Sequence, residues 1–412
     1  MRLSRRLAAH AVSAAIAILA GCGGGSATPG PENAARAVEN ARRNGAYGVV
    51  HSFGVRPQDG SVPYAGLIDV KGVLYGTTIV GGDEYDGGVV FAIAPLPTTP
   101  SGTDAILHGF GSFHDGANPY AGLVDVKGTL YGTTTAGGAN LVGTVFAIAP
   151  SGAETVLHSF EGSGDGSSPY GGLVDVSGML YGTTLDGGAH NQGTVFTITP
   201  SGAETVLYSF GGGSGDGGLP YSGLTDVNGT LYGTTYQGGA YNEGTVFTIT
   251  PSGAESVVHS FGGGSGDGAG PQAGVIEMNG TLYGTTYSGG LFNNGTVFAI
   301  TPSGAETVLH SFGNCCLYGT LAVPDGANPY AGLVGLKGVL YGTTANGGLR
   351  TNGGTVFAIT PSGAETVLHY FRSSPDGYRP YGTLIDLQGT LYGTTAGGGA
   401  SGDGTIFALT PP

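Results

Sequence analysis

A chain of 412 residues with 40% hydrophobic content is long enough to bury a large core, yet 85 of its residues are glycine and only 10% are charged. Glycine in such excess without a G-X-Y period excludes a collagen-like rod and argues against a helical protein, leaving an all-β or repeat architecture built on many turns. The formal net charge of −15 on a lysine-poor surface repels phosphate backbones, so no nucleic acid is expected as a partner.

The chain begins with Arg2, Arg5 and Arg6, continues in an apolar run from Leu7 to Ala20 broken only by His10 and Ser13, and reaches Leu19-Ala20-Gly21-Cys22. A basic start and a short apolar stretch predict an export signal over residues 1–21, too short for a transmembrane helix. Losing its three arginines takes the net charge to about −18. The Leu-Ala-Gly-Cys ending resembles the lipobox of bacterial lipoproteins. That resemblance implies acylation of Cys22, attachment to a membrane through the lipid and, with Gly23 rather than Asp following, the outer membrane or cell surface of a Gram-negative source. A plain secretory leader with a chance cysteine is the alternative. Residues 22–45 read as the anchor cysteine and a Gly/Ser/Pro tether, with a short helix expected over Pro31 to Asn44. Residues 46–412 form the repeat region.

LYGTT occurs seven times, starting at Leu74, Leu130, Leu180, Leu231, Leu282, Leu340 and Leu391, at steps of 56, 50, 51, 51, 58 and 51 residues. Units of about 51 residues, each with several short strands, predict an all-β, seven-bladed β-propeller. Every unit reads GLVDV, an X-Gly turn, TLYGTT, a Gly-Gly loop, GTVFAITP, a Ser-Gly turn and AETVLHSF, which is four strands separated by glycine turns. The longest regular connector joins HSF to the next GL, so GLVDV is the inner strand and VLHSF the outer one. With that phase, Val49 to Phe53 is an outer strand without a blade, and the last blade ends at Pro412 without an outer strand. The N-terminal strand is expected to complete the last blade and close the ring. A linear β-solenoid is the rival architecture.

The combination LYGTT, GG, GTVF, TPSGAE and HSF from Tyr47 onward resembles the Gly-Tyr-rich Gloeo-Verruco (GloVer) tandem repeat of bacterial secreted and anchored proteins. That resemblance implies export and repetition and adds no chemistry. A weaker likeness to kelch repeats lies in the period, the Gly-Gly pair and the tyrosine, but the chain has no tryptophan.

Function is sought on the face carrying the long, variable loops. A ring of Tyr64, Tyr120, Tyr170, Tyr221, Gln272, Tyr330 and Tyr381, each preceded by proline, is expected at the channel mouth and could hold a glycan or peptide. Repeated packing tyrosines are the plainer alternative. His190, Tyr241, Phe292 and Arg350 in the Gly-Gly loops offer aromatic faces, amide-rich neighbours and a cation that suit a sugar or an anionic group. The adjacent Cys315 and Cys316, in an insertion of the sixth copy, are read as a vicinal disulfide that stiffens a ligand-contacting loop, with an inert or loosely oxidised pair as the equal alternative. The histidines of HSF (His51, His108, His158, His259, His310, His369) sit one per blade on outer strands, so they cannot converge on one metal and are read as structural. The aspartates from Asp59 to Asp376 in the connectors are read as turn caps, and those from Asp69 to Asp386 on the inner strands as hairpin partners. No Ser/His/Asp set, zinc-ligand spacing or phosphate loop stands out. The expectation is therefore a cofactor-free, non-enzymatic envelope protein binding polysaccharide or protein. A structural surface protein is the alternative, and a polysaccharide-degrading enzyme a more distant one.

Overall fold

The computed structural model describes residues 47–56, 58–82, 86–94, 104–111, 114–301, 303–313, 323–348 and 351–412. The leader, Cys22, the expected helix, Arg350 and the Cys315/Cys316 pair lie outside them. The described elements are all strands, and they form seven four-stranded antiparallel sheets arranged as the blades of a propeller. The third blade is typical, running outward as Val174–Val176, Met179–Thr184, Thr194–Ile198 and Glu204–Ser209. Its inner strand has three residues rather than the five of GLVDV. The leading Gly172 lies against the carbonyl of Gly122 in the neighbouring blade, where no ladder partner exists.

The last blade is built as the phase argument requires. Ile385–Leu387, Thr390–Thr395 and Thr405–Leu409 are followed outward by the N-terminal strand Tyr47–Ser52, with Tyr47 opposite Leu409 and Ser52 opposite Thr405. This closure removes the open edges that a solenoid would have to cap.

The repeat's residues explain the blade. In the inner hairpin both turn residues take positive φ, for example Asn228 at 54° and Gly229 at 84°, the geometry a two-residue hairpin needs. The inner-strand acid accepts from the turn glycine, as Gly229 N–H does to Asp226 Oδ1 at 2.8 Å. The glycine of LYGTT is there for space: a Cβ on Gly182 would stand 2.6 Å from the ring of Phe196.

The hydrophobic core lies between blades, in seven clusters, one at each seam. The HSF phenylalanine of each blade packs edge-on against the GTVF phenylalanine of the next. Phe210 and Phe247 are typical, at 5.0 Å and 71°. Phe53 on the closing strand meets Phe91 of the first blade in a tilted contact at 5.1 Å and 59°. Burying such a ring contributes about 1.5–3 kcal/mol, so each blade is stabilised chiefly by its neighbours.

The two threonines of LYGTT have separate duties. The first donates across the seam, as Thr183 Oγ1 does to Ser222 O at 2.7 Å and Thr394 Oγ1 to Ala65 O at 2.9 Å, the latter closing the circle. The second holds its own blade's upper loop, as Thr184 Oγ1 does by bonding Asp186 O at 3.0 Å and lying 2.8 Å from Thr194 Oγ1.

Candidate functional site

The connectors that cross from one blade's outer edge to the next blade's inner strand carry the channel-lining residues. They are not plain loops. Gly217–Gly218 pairs with Gln237–Gly238, and equivalent short ladders recur in other blades. Two-residue ladders leave no periodicity for sequence reasoning to find.

The residue just before each connector proline is left-handed: Val62 at φ 57°, Asn118 at 56°, Ser168 at 53°, Leu219 at 55°, Gly270 at 59°, Asn328 at 53° and Arg379 at 57°. Two backbone bonds pin this kink. Leu219 N–H donates to Gln192 O at 2.8 Å, and Leu219 O accepts from Tyr236 N–H at 3.0 Å. The kink turns the chain toward the axis and delivers the next side chain but one into the channel.

The predicted ring therefore assembles: Tyr64, Tyr120, Tyr170, Tyr221, Gln272, Tyr330 and Tyr381 all line one axial cavity of about 180 Å³. Its members do not stand apart around an open mouth. Tyr64 lies on Tyr381 at 4.4 Å and 23°, meets Tyr120 at 5.1 Å, and reaches past Tyr381 to Tyr330 at 5.3 Å. Tyr120 continues to Tyr170 at 4.7 Å, and Tyr170 to Tyr221 at 5.5 Å.

The aromatic ring breaks at Gln272. On one side Tyr221 turns to Tyr236 at 5.3 Å, and on the other Tyr330 meets Tyr287 at 6.2 Å. Between them the buried Gln272 Oε1 has no hydrogen-bond partner. Beneath the ring, glycines such as Gly66, Gly122 and Gly223 bring neighbouring backbones together. A Cβ on Gly223 would stand 2.4 Å from Gly172 O. The seventh position is Thr383, whose Oγ1 accepts from Gly332 N–H at 3.1 Å.

Burial pushes the Tyr64 hydroxyl far above the ordinary phenol range, and that of Tyr330 up to about 12. Tyr170, Tyr221 and Tyr381 are raised for the same reason. At neutral pH the cavity is thus walled by uncharged phenols, able to donate and accept hydrogen bonds, and by one amide.

His190, Tyr241 and Phe292 stand elsewhere, at the outer rim against the glycine connectors, and are not among the cavity-lining residues. Tyr241 is 57% exposed, Phe292 44% and the adjoining Leu291 71%. Two separate features take the place of one continuous binding face.

The histidines are held individually, as expected. The partners of His108, His158, His310 and His369 are the connector aspartates, which sequence reasoning read as turn caps alone. His108 Nε2 lies 3.1 Å from Asp115 Oδ2 and His158 Nε2 2.9 Å from Asp165 Oδ2. The caps are present as well, as where Gly211 N–H and Gly212 N–H both donate to Asp216 Oδ2 at 2.8 and 2.9 Å. The spacing from the HSF histidine to Asp-Gly, seven or eight residues outside the copy that carries the insertion, was the available signal.

A profile described as the Gloeobacter/Verrucomicrobia repeat matches residues 29–243 and again 213–407. No curated protein matches this chain in sequence. Among solved structures, a gluconolactonase from Xanthomonas campestris aligns at 14% identity and a TM-score of 0.39, over 66% of this chain and 82% of its own. A puromycin hydrolase aligns at 12% identity and 0.46, over 81% of this chain and 50% of its own. A puromycin-hydrolyzing peptidase from Mycobacterium tuberculosis aligns at 10% and 0.38, over 85% and 61%. At such distances the likeness says nothing of chemistry.

Proposed function

The chain belongs to the Gloeobacter/Verrucomicrobia repeat family, and on that premise we propose that it is a non-enzymatic binding propeller of the cell envelope whose axial cavity takes one sugar ring of an extracellular polysaccharide. One observation carries the reading: the tyrosine ring that lines the cavity is interrupted at a single place, by the amide side chain of Gln272. A cavity of about 150 Å³ accepts one six-membered ring, so 180 Å³ suits a terminal sugar and not a chain lying flat. Tyrosine faces stack on sugar rings while phenols and an amide pair with hydroxyls. The Gln272 amide would hydrogen-bond a hydroxyl of that ring. Phenols pushed upward are poor proton carriers at neutral pH, which favours binding over catalysis.

A glycan array probed with the purified protein and its Gln272→Tyr variant tests this. Gln272→Tyr restores the seventh aromatic and fills the gap, so binding should weaken by at least about tenfold, the worth of a lost buried hydrogen bond. If no glycan binds, or Gln272→Tyr binds as well as the parent, the sugar reading fails.

Attachment through Cys22 is part of the same proposal and rests on the sequence pattern. Metabolic labelling with palmitate should mark the parent chain, and labelling that persists in Cys22→Ser would remove the anchor.

A further inference from the structure

The outer seams hold a second kind of site. Where the sequence keeps all three, the HSF histidine and the connector aspartate are approached by the first residue of the next blade's outer strand, the glutamate of AET. His108, Asp115 and Glu154 come together in this way, as do His259, Asp267 and Glu306, each set with one ligand atom per residue all within 4.8 Å of one another. The histidine and the glutamate belong to different blades, so whatever joins them ties the blades together.

The seam between the fourth and fifth blades is the informative one. His259 Nε2 stands 3.9 Å from Asp267 Oδ1, too far for a hydrogen bond, and neither His259 Nε2 nor Glu306 Oε1 has a hydrogen-bond partner although both atoms are buried. An imidazole nitrogen and a carboxylate oxygen left unpaired side by side would ordinarily be costly. Ligands about 2.0–2.2 Å from a tetrahedral ion sit roughly 3.4 Å apart, so His259 Nε2 and Asp267 Oδ1, at 3.9 Å, need draw in only slightly to share one. One imidazole with two carboxylates is a donor set for zinc-class divalent ions, whereas calcium wants six or more oxygens.

We propose that His259, Asp267 and Glu306 bind a divalent transition ion of the zinc class, with His108, Asp115 and Glu154 as a second copy, and that the ion clamps adjacent blades at the propeller's rim. Histidine supplies Nε2, each acid one oxygen, and water the remaining position. At two other seams a tyrosine stands in place of one member. Tyr208 replaces the histidine facing Asp216 and Glu255. Tyr47 replaces the glutamate, stacking on His369 at 3.6 Å and bonding Asp376 through its hydroxyl. The Tyr47 seam is closed by the protein's own hydrogen bond, and both seams serve as internal controls.

The test is calorimetric titration of the tag-free, EDTA-stripped protein with Zn²⁺, with thermal melts alongside. Binding should be saturable and should raise the melting temperature, and Ca²⁺ should not substitute. Glu306→Gln should weaken the tighter site by at least about tenfold, as loss of one of three protein ligands does, while Glu255→Gln at the tyrosine seam leaves it unchanged. His259→Gln is the second variant and should reproduce the loss should Glu306→Gln fail to fold. No Zn²⁺ binding, or Zn²⁺ binding whose stoichiometry and affinities both variants leave unchanged, overturns the proposal.

Discussion

Single residues carry geometry here that composition conceals. Of the seven left-handed residues before the connector prolines, Asn118 and Asn328 are suited to the conformation, and their side-chain amides also donate to Ile79 O and Tyr287 O at 3.0 Å. Val62 adopts the same φ of 57° with a branched Cβ, which costs about 1–2 kcal/mol. Its backbone bond to Asp403 O at 2.8 Å keeps it there and places Tyr64 in the cavity. Val62→Asn should therefore stabilise the protein by about 1 kcal/mol, read as a higher urea midpoint. An unchanged or lower midpoint would mean that Val62's packing outweighs its strain.

At the scale of the element, the closing strand is the place where local and global order meet. Tyr47–Ser52 pairs with Thr405–Leu409 while Phe53, just beyond it, fills the seam between the last and first blades. Phe53→Ala should cost about 3–5 kcal/mol, as removal of a buried aromatic does, and equilibrium unfolding would show it. A loss below about 1 kcal/mol would mean that the ring does not depend on this closure. The strand was legible because VVHSF repeats a motif already assigned to the outer edge, and the ring because LYGTT returns seven times. The aromatic ring was legible as a set of positions, since each tyrosine follows a connector proline. Its internal contacts were not, because repeats predict equivalence and Tyr64 breaks it by leaning across to Tyr330. Nor could repetition show that His190, Tyr241 and Phe292 stand at the rim, since distance from the axis depends on how each loop folds back over its connector. The seam glutamates escaped notice for a different reason: their partners lie in the neighbouring blade, some 40 residues away, as Glu154 does from Asp115.

For the whole molecule, those glutamates make stability a function of pH. Burial, with Asp165 close by, raises the Glu204 carboxyl from 4.5 to about 7, and burial raises that of Glu365 to about 7. Glu154 and Glu255 reach about 7 and Glu306 about 6 for the same principal reason. A folded-state pKa above the unfolded one means that the folded ring holds these protons more tightly than the open chain does. Stability is then lost as pH rises from about 4.5 to about 7, over which the folded protein must give up protons that the unfolded chain has already released. Asp267 and Asp376 are lowered from 3.8 and act only below that window. In metal-free buffer the melting temperature should therefore be higher at pH 5 than at pH 8. Glu204→Gln with Glu365→Gln should raise the pH 8 value and flatten the profile, because two of the seams no longer place a carboxylate beside an aspartate. A melting temperature that rises from pH 5 to pH 8, or a profile the double variant leaves unaltered, would show that the seam carboxyls are not what couples the ring to protons.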